Sequence, residues 1–135
     1  MPQQHKGSCL CGAVTFELTG EFKKFFLCHC SRCRKTSGSA HCANLFAPSA
    51  EVTWLTGEDN LSYYRHEDTH FARTFCKTCG SNVPTVSKER GLVVVPAGCL
   101  DTDVDLTAQA NIFMGSKGNW DEDLYKAPHF EERPG

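Results

Sequence analysis

The chain has 135 residues, a formal net charge of -2 and 40% hydrophobic residues, so it is long enough to bury a core and fits a single domain over residues 1–135. Its Lys and Arg residues are scattered, which argues against a nucleic-acid binder. No apolar run approaches the ~20 residues that cross a bilayer, and the polar amino terminus carries no export signal, so we expect a cytoplasmic protein without a membrane segment.

Short β-prone runs recur along the whole chain, and most are bounded by Gly, Pro, Asn or Asp. The predicted strands cover residues 13–18, 25–28, 40–46, 52–55, 61–65, 70–76, 83–86, 92–95 and 109–113. A short helix is predicted over residues 31–37, beginning at Cys30 or Ser31 and ending at Gly38, and a helical turn is predicted near residues 121–125. The sequence therefore predicts a mainly β fold of short antiparallel strands with one or two short helices.

The nine cysteines are an odd number, and seven of them lie in the close pairs and triplets that metal sites use. Disulfides are the weaker explanation, because a chain without an export signal stays in the reducing cytosol, where thiolates and metal are favoured. We therefore expect metal sites, with zinc as the ion that thiolates hold best in such spacings.

Two of the cysteine pairs predict one closed zinc site. Cys9 and Cys11 form a C-x-C pair, Cys76 and Cys79 form a C-x-x-C pair, and a glycine follows each pair. Together they offer four thiolates, which zinc binds in a tetrahedron with a structural role. Paired buried thiols or a disulfide are the alternatives for these residues.

The remaining group, Cys28, Cys30 and Cys33, predicts a second zinc site with three protein ligands. These residues lie where a predicted strand gives way to the predicted helix, whose first N–H groups favour anions. Three ligands leave a fourth position for water or substrate, as in catalytic zinc sites. A thiol bound there loses its proton and becomes a nucleophile, so the pattern indicates thiol activation.

Two alternatives stay open for this triplet. A fourth protein ligand would turn it into a second structural site, and the candidates are His29, His41, Cys42 and Cys99. The triplet would otherwise be a set of metal-free, redox-active thiols. Of the candidates, His29 is interpreted as a hydrogen-bonding neighbour, and the isolated Cys42 and Cys99 are interpreted as small buried hydrophobes outside the site.

Basic side chains follow the triplet on the predicted helix. Arg32, Arg34 and Lys35 lie among and just after the cysteines. They would bind a substrate carboxylate or form a solvated helix face, and the sequence supports both interpretations.

Three segments together resemble one known family. They are GSCLCGAV at residues 7–14, CHCSRCRK at residues 28–35 and FCKTCGS at residues 75–81. In order and spacing the chain resembles the glutathione-dependent formaldehyde-activating enzyme family, which includes relatives of the centromere protein V type. The likeness extends over nearly the whole chain.

That resemblance implies a β-tent fold held by zinc, with one structural and one catalytic ion. The residues that match the family's structural zinc ligands are Cys9, Cys11, Cys76 and Cys79, and those that match its catalytic zinc ligands are Cys28, Cys30 and Cys33. The implied activity is that of a carbon-sulfur lyase acting in reverse, the addition of glutathione or a similar small thiol to formaldehyde or a related aldehyde. The competing hypotheses are a binding or scaffold module with two structural zincs and a thiol redox or metal sensor.

Overall fold

The protein is described here by a computed structural model that covers residues 3–135. Within those residues there are eleven short strands. In chain order they are β1 (Gln3–Ser8), β2 (Thr15–Gly20), β3 (Lys24–Cys28), β4 (Cys42–Pro48), β5 (Glu51–Thr56), β6 (Leu61–Arg65), β7 (Ala72–Cys76), β8 (Asn82–Val83), β9 (Thr85–Ser87), β10 (Leu92–Pro96) and β11 (Ala110–Ile112). The expected mainly β fold is confirmed.

One α-helix, α1 (Ser31–Ser37), is present in the described part of the chain, with the predicted bounds. Its first turn is capped by the Cys30 side chain, which accepts a hydrogen bond from the Cys33 N–H. It ends at Gly38, whose φ of 67° allows its N–H to bond to the Arg34 carbonyl, a left-handed conformation that favours glycine. Four 3-10 turns complete residues 3–135: Glu58–Asn60, Ala97–Cys99, Met114–Ser116 and Leu124–Lys126.

The strands form three sheets. The order is β1-β2-β5 in the first, β11-β3-β4-β10-β9 in the second and β6-β7-β8 in the third. All pairings are antiparallel except that of β11 with β3. The expectation of antiparallel strands is therefore wrong for β11, which pairs with β3 in parallel over Ala110–Ile112.

The core lies where the first and second sheets face each other. It is built on fully buried side chains that alternate along their strands, Phe16 and Leu18 on β2, Leu45 on β4, and Val93 and Val95 on β10. Alternation of this kind is what a half-buried strand requires. Two cysteines of the predicted closed zinc site also belong to this core cluster, Cys9 and Cys76, so that site is joined directly to the main hydrophobic packing.

Two sequence-based boundaries need correction. No strand was predicted at the polar start of the chain, but Gln3–Ser8 pairs along its length with β2, because a strand at the edge of a sheet needs few apolar side chains. The predicted strand over residues 83–86 is two strands, β8 and β9, separated by Pro84. Proline lacks the N–H that a continuous ladder needs.

The turn expected near residues 121–125 is the 3-10 turn Leu124–Lys126. No helix within residues 3–135 has the length and apolar character needed to cross a bilayer.

We predict that Gly57→Ala destabilises the protein by about 1–3 kcal/mol, measured by urea unfolding of the zinc-loaded form. Gly57 has a φ of 77°, and a Cβ there would overlap the carbonyl oxygen of Ala13. Ala13 lies just after the first cysteine pair in the sequence. Gly98→Ala is the matched control, because Gly98 has ordinary φ and no atom within 4 Å of its Cβ position. Equal stability of the two variants would contradict this account of the contact.

Candidate metal centres and active site

The four sulfurs of Cys9, Cys11, Cys76 and Cys79 lie within 4.8 Å of one another. The Sγ–Sγ distance is 3.6 Å between Cys9 and Cys11 and 3.8 Å between Cys11 and Cys76. Four sulfurs placed tetrahedrally around zinc at about 2.3 Å lie about 3.8 Å apart. The donor set and its spacing therefore fit a closed tetrahedral zinc site.

Two tight turns bring these four sulfurs together. In the first turn the Cys9 N–H bonds to the Val14 carbonyl at 3.0 Å, the Val14 N–H points to Cys9 Sγ at 3.3 Å, and Gly12 has a φ of 81°. In the second turn the Gly80 N–H bonds to the Cys76 carbonyl at 2.8 Å, and Gly80 has a φ of 77°. Each glycine supplies the left-handed conformation that reverses the chain around the sulfurs.

Polar groups around the four sulfurs favour their ionised form at some positions. Asn60 Nδ2 lies 3.3 Å from Cys76 Sγ, and Ser81 Oγ lies 3.2 Å from Cys79 Sγ. The side-chain contact with Ser81, followed by backbone hydrogen bonds, lowers the pKa of Cys79 to about 5. At Cys11 the Ala13 backbone favours the thiolate, but desolvation and the neighbouring thiols together raise the pKa to about 11. A divalent cation offsets that mutual repulsion among thiolates.

The second group consists of Cys28, Cys30 and Cys33, whose sulfurs also lie within 4.8 Å of one another. All three residues are buried. Cys28 ends β3, Cys30 caps α1, and Cys33 lies one turn into the helix, so the change from strand to helix folds the three sulfurs onto one point. Three thiolates at this spacing fit three corners of a zinc tetrahedron.

The surroundings of the triplet favour a thiolate at one sulfur and oppose it at the others. Burial raises the pKa of Cys28, and a hydrogen bond with Cys42 together with burial raises the pKa of Cys33. Burial also opposes ionisation of Cys30, but the N–H groups of Cys33 and Arg32 and the neighbouring thiols lower its pKa. Three buried thiolates therefore need a compensating positive charge, which zinc supplies.

None of the four candidate fourth ligands lies within the triplet's sulfur cluster. His29 is occupied on both ring nitrogens, with Nδ1 2.8 Å from Asp121 Oδ2 and Nε2 3.0 Å from Asn111 Oδ1. The His41 ring lies 5.1 Å from the His29 ring. Cys99 packs into the main core with Cys9.

Cys42 is the candidate that comes nearest. It lies opposite Cys28 on the neighbouring strand, and its thiol donates to the Cys33 carbonyl at 3.3 Å. Sequence reasoning placed it outside the site as a small hydrophobe, and the structure places it beside the triplet, half-buried. The strand pairing of β3 with β4 creates this proximity, so no local motif could have signalled it.

A cavity of about 470 Å³ opens in front of the triplet. The triplet and Cys42 form part of its wall, the second sheet contributes Phe46 and Val94, and the third sheet contributes residues of β6, β7 and β8. The volume suits a small organic ligand. The four-cysteine cluster is tied into the core, whereas the three-cysteine cluster faces a space that a substrate can enter.

Positive charge predominates on the cavity wall. Four arginines line it, Arg32, Arg65, Arg73 and Arg90, against a single acidic residue, Glu89. Of the three basic residues considered from the sequence, only Arg32 lines the cavity. Arg34 donates from Nε to the Ser116 carbonyl at 3.1 Å, and Lys35 is exposed. Sequence reasoning missed Arg73, because the strand that carries it lies far from the triplet along the chain.

A family model described as glutathione-dependent formaldehyde-activating enzyme matches residues 4–116. The chain belongs to that family. The matched range contains both cysteine clusters and nearly all of the cavity wall, so the resemblance carried by the three cysteine motifs is confirmed.

Two further proteins resemble the chain. A Halomonas elongata protein, named as a candidate glutathione-dependent formaldehyde-activating enzyme, is 29% identical over 124 residues, covering 87% of this chain and 79% of that protein. A crystal structure of a Rhodobacter sphaeroides protein superposes with a TM-score of 0.59 at 25% identity and covers 78% of this chain and 98% of the other. Both comparisons extend over most of this family member.

We predict that Asp121→Ala weakens the second zinc site about tenfold or more and leaves the first intact, measured by zinc competition with a chelator. The variant leaves the buried His29 Nδ1 without its partner, and His29 is the residue between Cys28 and Cys30 in the sequence. Glu122→Ala is the control, because Glu122 pairs only with Lys117 at the surface. Unchanged affinity in Asp121→Ala would show that the His29 contact does not support the site.

We predict that iodoacetamide at pH 8 modifies Cys42 but not Cys99 in the folded, zinc-loaded protein, as read by peptide mass spectrometry. Burial, followed by the charge of Asp101, raises the pKa of Cys99 to about 12, so its unreactive thiol form persists at pH 8. Cys42 lines the cavity and is half-buried, so a small reagent reaches its thiol without unfolding of the protein. Labelling of Cys99 should begin only on unfolding; equal labelling of both cysteines without unfolding would refute the assignment.

Proposed function

We propose that the protein is a zinc-dependent enzyme of the carbon-sulfur lyase type, which in the synthetic direction adds glutathione or a similar small thiol to formaldehyde or a related aldehyde. The observation that carries this proposal is the contrast between the two clusters. Four sulfurs complete one site at the edge of the core, whereas three sulfurs with no fourth ligand among them face a cavity of about 470 Å³. An incomplete ligand set at a cavity is the arrangement that catalytic zinc requires.

The proposal assigns Cys9, Cys11, Cys76 and Cys79 to a structural zinc and Cys28, Cys30 and Cys33 to a catalytic zinc. When bound at the triplet, zinc would act as a Lewis acid that lowers the pKa of a substrate thiol toward neutrality. The chain itself holds the three sulfurs in place where β3 meets the helix. It also lines the cavity with guanidinium groups that favour anionic sulfur and oxygen.

The reaction needs no co-reactant beyond the thiol and the aldehyde. The thiolate sulfur attacks the carbonyl carbon and forms the carbon–sulfur bond, while the π electron pair moves to the aldehyde oxygen. That oxygen takes up a proton equivalent to the one lost by the thiol, so the product is a hydroxymethyl thioether. The cationic cavity wall stabilises the oxygen as negative charge develops on it.

The same proposal includes one zinc-binding domain over residues 1–135, a β-tent arrangement of the sheets and a cytoplasmic location. None of the nine cysteines forms a disulfide in the structure of residues 3–135, which agrees with a reducing compartment. A protein that acts on a free thiol also needs a compartment that keeps the thiol reduced.

One observation favours a second candidate, a scaffold with two structural zincs. Cys42 lies beside the triplet and touches Cys33, so a small side-chain movement would offer a fourth sulfur. The two candidates differ in whether Cys42 is a ligand.

The test compares Cys30→Ser with Cys42→Ser, two single-atom changes at neighbouring positions. We predict that native mass spectrometry finds two zincs in the wild type and in Cys42→Ser but one in Cys30→Ser. We also predict thiol-dependent formaldehyde consumption above the uncatalysed rate in the first two proteins and a loss of at least about a hundredfold in Cys30→Ser, because removing a ligand of the activating metal removes most of the rate enhancement.

Folding is checked independently by far-ultraviolet circular dichroism, since the four-cysteine site is intact in both variants. Loss of the second zinc in Cys42→Ser would identify a closed four-sulfur site and support the scaffold. Absence of any thiol-dependent rate with glutathione, cysteine and coenzyme A in the two-zinc wild type would overturn the enzymatic proposal.

A further inference from the structure

The arginines of the cavity have no carboxylate partners. Within residues 3–135, every ion pair closer than 4 Å involves a lysine or a histidine as the cation. An arginine cluster that lines a cavity without internal counter-charges is suited to an anionic ligand, because guanidinium binds carboxylate through paired hydrogen bonds.

Arg73 differs from the other three arginines of the wall. It is the one that is half-buried, while Arg32, Arg65 and Arg90 are exposed. Its guanidinium lies over the Phe75 ring, 5.0 Å from the ring centre. Its Nε atom is shielded from solvent and has no hydrogen-bond partner. A buried donor without a partner costs free energy, and such a group calls for an explanation such as a ligand that the protein binds.

Asn82 is the second residue of this kind. Within the described part of the chain, its Oδ1 and Arg73 Nε are the side-chain polar atoms that are buried without a partner. Asn82 lies opposite Phe75 in the pairing of β8 with β7, so Arg73, Phe75 and Asn82 share one face of the third sheet. Both residues line the cavity in front of the triplet.

From these observations we propose that Arg73 and Asn82 form a recognition site for the thiol substrate, in which Arg73 binds a carboxylate and Asn82 accepts a hydrogen bond from a neighbouring N–H group. The substrate is then an amino-acid or peptide thiol, held by its carboxylate end on the third sheet while its sulfur reaches the triplet. This assignment rests on the proposed function and adds the side chains that select the thiol.

Arg73 has one competing role, which the test must separate. The positive charge of Arg73 also favours the thiolate of Cys42, so the residue could serve the sulfur cluster instead of a ligand. In that case its loss would change zinc binding. In the recognition role its loss changes the affinity for a carboxylate and leaves both zincs in place.

The experiment measures equilibrium binding of S-methylglutathione and of its dimethyl ester by calorimetry to the two-zinc protein. The methylated sulfur prevents the reaction, so binding is read without catalysis. We expect the acid to bind the wild type about ten- to hundredfold more tightly than the ester, the range for a charge-assisted contact. In Arg73→Gln the ratio of the two affinities should fall close to one. Arg90→Gln removes the same charge from an exposed position of the same wall and should keep most of the ratio.

Asn82→Leu tests the second contact with a side chain of similar volume. It should lower the affinity for the acid and for the ester by a similar factor and leave the ratio of the two affinities unchanged, because the ester retains the N–H groups. Zinc content by native mass spectrometry and the unfolding midpoint accompany each variant, and Arg73→Lys, which keeps the charge without the planar fork, should retain an intermediate ratio.

Four results would overturn the recognition site: equal binding of acid and ester to the wild type, an unchanged ratio in Arg73→Gln, an equal drop in Arg90→Gln, or loss of zinc from Arg73→Gln. A failure of the proposed function is a separate result. If the wild type shows the expected ratio but no thiol-dependent consumption of aldehyde, the recognition site stands and the reaction does not.

Discussion

The link between two distant turns, made by four cysteine sulfurs, is the interaction on which the rest of the structure depends. Cys11 and Cys76 are 65 positions apart along the chain, yet their sulfurs lie 3.8 Å apart. Cross-linking so long a loop removes much conformational freedom from the unfolded chain. It also joins the first sheet, which leads into Cys9, to the third sheet, which ends its central strand at Cys76. The cavity depends on that junction, because one of its walls is the third sheet.

The two cysteine clusters differ in the number of sulfurs that each brings together. Both are built from short turns and both hold sulfurs within 4.8 Å, but one has four sulfurs, two of them in the core cluster, and the other has three. Four protein ligands fill the tetrahedral coordination of zinc and leave no position for a further ligand. At the triplet, both ring nitrogens of the neighbouring His29 are bonded to other residues, Asp121 and Asn111. The imidazole of His29 therefore does not supply a fourth ligand.

The triplet and the helix could be predicted from the sequence because they are local, whereas the four-cysteine group was predicted from motif spacing although its two pairs lie far apart along the chain. Cys28, Cys30 and Cys33 lie within one strand-to-helix turn, and the spacing alone brings their sulfurs together. The cavity wall could not be predicted, since Arg73 and Asn82 reach the triplet only through the packing of separate sheets. Cys42 was misjudged for the same reason: its position opposite Cys28 follows from strand register, which no single segment encodes. The edge strand Gln3–Ser8 was missed because it contributes little to the hydrophobic pattern.

The charge distribution connects these features to selectivity. The chain as a whole is slightly acidic, with a formal charge of -2, and zinc bound by several thiolates adds further negative charge. The net charge of the chain therefore does not by itself attract an anionic thiol. In the proposed site, selection would act inside the cavity, through the guanidinium group that is partly shielded from water. Arg73 is held against Phe75 and half-buried, so its charge is screened less than that of the exposed arginines. In the proposed recognition site, Arg73 on one wall and the sulfur cluster on another would hold the two ends of a ligand, so the site would select thiols by length as well as by charge.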